Sequence, residues 1–275
     1  GTVAKLGEGV DEYRIGDRVA VEIHAGCGRC ERCRMGMYTS CLNYGMNYGD
    51  HKKGHRANGF TTDGGFAEYA VNHINTVHKI PDSVEFNEAA LITNLGCILY
   101  GFQTVGGYVV GDSVAVVGPG PLGLVSVGVA RALCAGKIFL VGTRDSRLQM
   151  GKTMGADRLI NVNQANPVEV IRRETQGIGA DLVIESSGAT TGPQTAVEMC
   201  KRMGKVLLVG YPEEPAPVDF SMMGTRNVHI FSIRGEGWAN CARGISLLSQ
   251  GRISLKPLAT HSFPLAQIEE AVKTF

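Results

Sequence analysis

From about residue 112 onward the chain alternates short apolar runs with helical patterns, and this alternation constrains the fold more than any other feature. Candidate strands are 113–117, 137–142, 158–162, 181–185, 205–210 and 228–233; candidate helices are 121–135, 146–154, 167–176 and 191–203. The strands are near-continuous apolar runs, as in Ile138-Phe139-Leu140-Val141. Such runs fit a parallel sheet covered on both faces, which is what a strand–helix–strand order builds. Residues 1–92 read instead as short strands and turns. Val19-Ala20-Val21-Glu22 follows the turn Gly16-Asp17-Arg18, and Gly64-Gly65 precedes an alternating strand candidate, Phe66–Val71. After the alternation come a candidate helix at 238–250 and a closing segment with Pro257 and Pro264.

The strand 113–117 runs into Gly118-Pro119-Gly120-Pro121-Leu122-Gly123. In a chain with 37 glycines a G-x-G-x-x-G pattern alone is weak. Here an apolar strand precedes it and a helix follows, which is the context a dinucleotide-binding turn requires. Gly118 permits the tight turn, Gly120 lets a pyrophosphate approach the backbone, and Gly123 allows close helix–strand packing. Pro121 suits the first helical turn, where no amide donor is needed. The free amides there, together with the helix dipole, face the phosphates, so Pro121 and Leu122 join the three glycines as candidate cofactor residues. Ser186 and Gly210 stand at the ends of later strands, where a doubly wound sheet faces its ligand crevice; a role confined to the turn is the alternative for each.

An acidic residue at the end of the second strand would bind the ribose 2′-hydroxyl of NAD and repel the 2′-phosphate of NADP. Nineteen residues past Gly123 that position is Gly142, followed by Thr143 and Arg144. Gly142 gives room, Thr143 can donate a hydrogen bond, and Arg144 can make a charge-assisted contact, with Arg147 as a second cation. This favours NADP over NAD. The alternatives are a solvated Arg144 and an Asp145 turned toward the ribose.

The most specific motif is Cys27-x2-Cys30-x2-Cys33-x7-Cys41. Four thiolates at this spacing suit one tetrahedral Zn²⁺ with no open position, a structural site. An iron–sulfur cluster is the rival, since C-x2-C-x2-C also begins ferredoxin motifs. The spacing of seven and the lack of a following proline count against it. Cys97, Cys134, Cys200 and Cys241 are scattered through apolar segments. Together this is metal-site and core usage, not a secreted disulfide framework, and a cytoplasmic location is the expectation.

Composition narrows the function classes. Lys plus Arg number 27 against 26 Asp plus Glu, a net charge of +1, which argues against a dedicated nucleic-acid binder. The uncharged stretches 89–111 and 113–130 are broken by Gly and by Asn94, Gln103, Pro119 and Pro121, so they read as strand–turn–helix rather than membrane spans. The chain opens on Gly1, not Met, within a strand-like Gly1–Ala4, and its last residues lie inside a helical pattern. We expect a fragment whose beginning is missing.

The chain resembles the medium-chain dehydrogenase/reductase family, the zinc-containing alcohol and polyol (sorbitol-like) dehydrogenases. The resemblance rests on Gly7-Glu8-Gly9-Val10 with Gly16-Asp17-Arg18-Val19, the four-Cys lobe, Asp63–Tyr69, the Gly118–Gly123 turn and Thr260–Leu265, and it spans nearly the whole chain. It implies an α/β protein: a GroES-like β-rich catalytic domain, incomplete here, interrupted by a Rossmann doubly wound parallel sheet. The expected domains are 1–94, with a structural-zinc lobe at 24–44, then 95–236 for the cofactor, then a return to the catalytic domain at 237–275. The family's catalytic zinc is held by a Cys and a His-Glu pair that would precede Gly1. A third ligand counts back to Asn94 or Thr93, neither a good zinc ligand, so a catalytic Zn²⁺ is left open and Asn94 is a weak catalytic candidate.

The resemblance further implies hydride transfer between a small-molecule secondary alcohol or polyol, or its ketone, and NADP(H), by a homodimer or homotetramer. Two rivals are a zinc-independent NADP(H) reductase keeping only the structural zinc, and a non-catalytic nucleotide-binding relative. His51 and His55, in a polar loop, are candidate ligands, proton relays or substrate contacts, with a plain exposed loop as the alternative. Arg234, at the end of the sixth strand, is a candidate contact to substrate or to a neighbouring subunit, with a surface salt bridge as the alternative.

Overall fold

The computed structural model describes residues 1–43, 57–107, 109–237 and 239–274. His51 and His55 lie outside these residues. The chain divides into two compact units, one of residues 1–96, 235–251 and 255–275, the other of residues 97–234 and 252–254.

The first unit contains β1 (Val19–Val21), the short helix α1 (Glu31–Arg34), β2 (Val77–Lys79) and α2 (Phe86–Ala89). Strands β1 and β2 pair antiparallel, Ala20 opposite His78 and Val21 opposite Val77. Helix α3 (Ile92–Thr104) carries the unit boundary, between Gly96 and Cys97. The segment Phe66–Val71 is a correction to the sequence reading. It forms no strand, and Phe66, Tyr69 and Val71 are 81–89% exposed. Alternation of side chains marks a strand only when a neighbour supplies the ladder, and no paired strand lies against it among the described residues.

The second unit is built on six parallel strands: β3 (Ser113–Val117), β4 (Lys137–Gly142), β5 (Arg158–Asn161), β6 (Ala180–Glu185), β7 (Cys200–Leu208) and β8 (His229–Ser232). Their order is β5-β4-β3-β6-β7-β8. This is the doubly wound order, and it reverses direction between β3 and β6. Helices α4 (Pro121–Ala132), α5 (Asp145–Thr153), α6 (Pro167–Glu174), α7 (Gly192–Met199) and α8 (Phe220–Arg226) lie between the strands. The sheet buries on both faces: Val114, Val116, Ile138, Leu140 and Ile184 are fully buried, as are Ala115, Phe139 and Val183. That explains the continuous apolar runs.

Helix α7 ends earlier than the sequence pattern suggests, at Met199. Residues 200–203 belong to the head of β7, where the ladder to β6 shifts register between Ala180 and Leu182. Met203 takes a left-handed conformation, φ 57°, which no helix interior tolerates. The last two elements, α9 (Asn240–Ser249) and α10 (Ile268–Thr274), return to the first unit. No helix among the described residues is long and apolar enough to cross a membrane.

Asp181 ties the strand starts together. Its Oδ2 accepts from the backbone N (2.8 Å) and hydroxyl (2.6 Å) of Ser113, and its Oδ1 pairs with Lys201. Burial raises the carboxyl pKa, but the Lys201 and Ser113 hydrogen bonds outweigh it and hold the group below its ordinary value. A depressed pKa means the stabilisation is complete above the unfolded value, about 4, and is lost as pH falls through the folded one. Asp181→Asn is therefore expected to cost about 1–2 kcal/mol at neutral pH and to flatten the loss of stability below about pH 4. Urea unfolding across pH measures this; an acid dependence identical to the parent protein would refute it.

Candidate functional site

The carboxyl ends of β3, β4 and β6 open onto a crevice of about 830 Å³. Its floor is the turn after β3. Gly118 has φ 97°, a conformation that favours glycine, and a Cβ there would meet Ser187 at 2.7 Å. Gly123 sits against the same turn: a Cβ would come within 1.9 Å of the Gly118 carbonyl oxygen. Around Gly120 nothing lies within 4 Å of a Cβ position, so its backbone is open. Gly120 is also the residue before α4, whose first turn begins with Pro121. The amides of that turn have no side-chain cap from Gly120 and present the positive end of the helix dipole.

Of the sequence candidates, Gly118, Gly120, Gly142, Thr143, Arg144 and Ser186 line the crevice. Pro121, Leu122, Gly123 and Gly210 are not among its lining residues. Gly123 and Gly210 shape it from behind, since a Cβ at Gly210 would strike the Gly188 amide nitrogen at 2.6 Å. At Gly142 a Cβ would meet the Pro119 ring at 2.5 Å, so the turn itself excludes a side chain where an acidic residue would stand. Arg144 and Arg147 flank this position on the crevice wall. Asp145 is turned aside, its Oδ1 accepting from Asn161 Nδ2 at 2.7 Å.

The sequence reading missed Gln164 and Asn166, which line the crevice from the turn after β5. Their signal was available: they follow the third strand of the sheet, at its carboxyl end. It also missed Glu185, the buried last residue of β6. Its Oε1 accepts from the Ser187 amide at 2.9 Å and from the Ser187 hydroxyl, fixing the loop behind Gly118.

A second constellation stands in the first unit. The spacing Cys27-x2-Cys30-x2-Cys33 wraps the chain into α1, with Cys30 as the residue before the helix and its Sγ accepting from the Cys33 amide. A 3-10 turn at Tyr38–Ser40 then returns Cys41 to the cluster. All four sulfurs lie within 4.8 Å of one another; Cys27–Cys33 is 3.9 Å and Cys30–Cys41 is 4.0 Å. The edge of a tetrahedral ZnS₄ site with 2.3 Å bonds is about 3.8 Å. Cys27 also accepts from Asn43 Nδ2 at 3.1 Å and from the Cys30 amide at 3.4 Å. Burial opposes its ionisation, but hydrogen bonds from the Arg29 backbone and Asn43 prevail and bring its pKa down to about 6. The donor set and spacing fit a tetrahedral metal ion.

Thr93 and Asn94 lie in the first turn of α3. Neither side chain is a good zinc donor.

Two family models match the chain. One, described as the alcohol dehydrogenase GroES-like domain, covers residues 1–82; the other, described as zinc-binding dehydrogenase, covers residues 121–250. A sorbitol dehydrogenase of Bacillus subtilis is 31% identical over 99% of this chain and 74% of its own length. An L-threonine 3-dehydrogenase of Symbiobacterium thermophilum is 32% identical over 99% of this chain and 75% of its own length. Among solved structures, an alcohol dehydrogenase of Escherichia coli complexed with NADH superposes with a TM-score of 0.87 at 29% identity, covering all of this chain and 77% of that one. The fold and crevice thus define an oxidoreductase architecture, a GroES-like domain joined to a Rossmann sheet. The chain belongs to the zinc-containing medium-chain dehydrogenases, a family of alcohol and polyol oxidoreductases.

Proposed function

We propose that the chain oxidises the secondary hydroxyl of a polyol or a similarly small polar alcohol, in reversible exchange with the ketone, using NADP(H). The observation that carries this reading is the crevice wall at Gly142, where Pro119 excludes a carboxylate while Arg144 and Arg147 supply two cations. When bound, the nicotinamide supplies the hydride chemistry. The chain's part is to seat the pyrophosphate on the open backbone at Gly120 and the 2′-phosphate beside Arg144, with Ser186 at the switch point between β3 and β6. The named relatives act on sorbitol and L-threonine, both of which carry a secondary hydroxyl, and this supports the substrate class.

Cys27, Cys30, Cys33 and Cys41 would hold a structural Zn²⁺ that orders the lobe. The lobe exposes Met35, Met37 and Leu42, which suits the homo-oligomer contact expected of the family. All eight cysteines stand outside disulfides, which suits a cytoplasmic protein.

The test is steady-state oxidation of sorbitol, related polyols and L-threonine with NADP⁺ and NAD⁺ in parallel. We expect kcat/KM to favour NADP⁺ by at least about tenfold with a polyol as the better substrate, the size of one charge-assisted contact. A preference for NAD⁺ would overturn the cofactor assignment, turnover of L-threonine alone would overturn the polyol as the better substrate, and turnover of none of these secondary alcohols would overturn the substrate class.

A further inference from the structure

A second convergence of metal-type donors lies in the first unit, apart from the four-thiol lobe. Glu22 follows β1, and its amide continues the ladder by donating to the Thr76 carbonyl at 2.8 Å. His78 stands in β2 opposite Ala20. Residues directly across a ladder share a face, and so do residues two apart, so Glu22 and His78 project to the same side. His78 Nε2 and Glu22 Oε2 are 3.1 Å apart. Cys241, in the first turn of α9, completes the group: one ligand atom from each residue lies within 4.8 Å of the other two.

The thiol's position is built rather than incidental. Cys241 Sγ donates to the Ile92 carbonyl at 3.7 Å, and a Cβ on Gly96 would meet that sulfur at 2.8 Å. Glycine at 96 is what leaves the sulfur its place. The surroundings are largely buried and rich in ionisable groups. Glu22 is 3% exposed and Cys241 fully buried. A neighbouring pair, Glu236 and His24, is buried as well, His24 Nδ1 lying 2.9 Å from Glu236 Oε2. Burying a carboxylate against a thiol is costly unless a cation compensates.

We propose that Glu22, His78 and Cys241 form a second metal site, taking Zn²⁺ with three protein ligands and water in the fourth position. A carboxylate, an imidazole and a thiolate are all zinc donors, and three protein ligands with one open position is an established coordination pattern for this ion. A tetrahedral edge between such ligands is about 3.3–3.7 Å, so the imidazole–carboxylate pair already has nearly that spacing. Metal binding displaces the thiol proton to solvent, while the neutral imidazole ligates through one ring nitrogen and keeps its proton on the other. None of these residues stands at the Asn94 or Thr93 position.

Metal content and Co²⁺ substitution of the full protein test the proposal. The four-thiol lobe gives an intense sulfur-to-cobalt charge-transfer band, which also reports that a variant has folded. Cys241→Ser is expected to lose one metal ion per chain while that band persists. His78→Gln should lose the same single ion. In Cys33→Ser, cobalt should still bind, with the weaker charge-transfer band of a one-thiolate site. Cys241→Ser and His78→Gln proteins that both keep the parental metal count with the lobe band intact would overturn the site. So would a Cys33→Ser protein that binds no cobalt. These readouts do not depend on turnover, so the outcome is separate from that of the substrate and cofactor assignment.

Discussion

Arg144→Ala is expected to weaken NADPH binding about 30-fold and to leave NADH binding within about threefold of the parent protein. Only NADPH carries a 2′-phosphate, and a hydrogen bond to a charged group contributes about 2 kcal/mol, which converts to that factor. The guanidinium lines the crevice beside Gly142, where Pro119 leaves no space for a competing side chain. Asp145 stays engaged with Asn161, so it does not take over the ribose in the variant. Fluorescence titration of both reduced cofactors reads the difference directly. Equal losses for the two would mean that Arg144 acts on something common to both, such as the pyrophosphate, and would sink its assignment to the 2′-phosphate. A guanidinium–phosphate pair on this open crevice wall would be partly solvated, so the NADPH advantage should also shrink as salt rises.

Cys33→Ser is the second large effect. It should remove the lobe's metal ion and expose residues 28–43 to proteolysis, with a fall in thermal midpoint of about 5 °C or more, equivalent to a few kcal/mol. Among the described residues the lobe's own helical structure is one four-residue helix and one 3-10 turn, and α1 contributes no buried residue. It therefore has little core to keep it closed once a ligand is lost. Nucleotide affinity should change by less than about twofold, because the crevice belongs to the other unit, with its own core around Phe139, Val183 and Val206. Metal analysis with limited proteolysis decides the matter. A protein that keeps its metal and its protease resistance would show that these four thiols are not a metal site.

The parts of this protein that were legible in the sequence are those whose physics is local. A strand buried on both faces has to be apolar throughout, so β3, β4 and β6 could be read from Val114–Val117, Ile138–Val141 and Leu182–Ile184. The Cys27–Cys41 cluster was legible because its ligands lie within one short loop. The Gly118–Gly123 turn was legible because a close approach of backbones permits no other residue at its ends.

Where distant partners decide the outcome, local reading fails. Phe66–Val71 alternates like a strand but has no paired strand among the described residues, since a ladder needs a neighbour that the segment itself does not encode. Residues 200–203 follow a helix without a break in composition, yet they join β7, because pairing with Ala180 and the left-handed Met203 redirect the chain. Asp145 and Arg144 are adjacent and equally able to face a ribose on paper; only the tertiary structure puts Arg144 on the crevice wall and bonds Asp145 to Asn161. The meeting of Glu22, His78 and Cys241 has no local signature either. Strand register and a glycine at position 96 bring those three together. Periodicity and short-range spacing thus determined the sheet, the phosphate turn and the thiol lobe, whereas long-range pairing alone decided which isolated polar residues share a site.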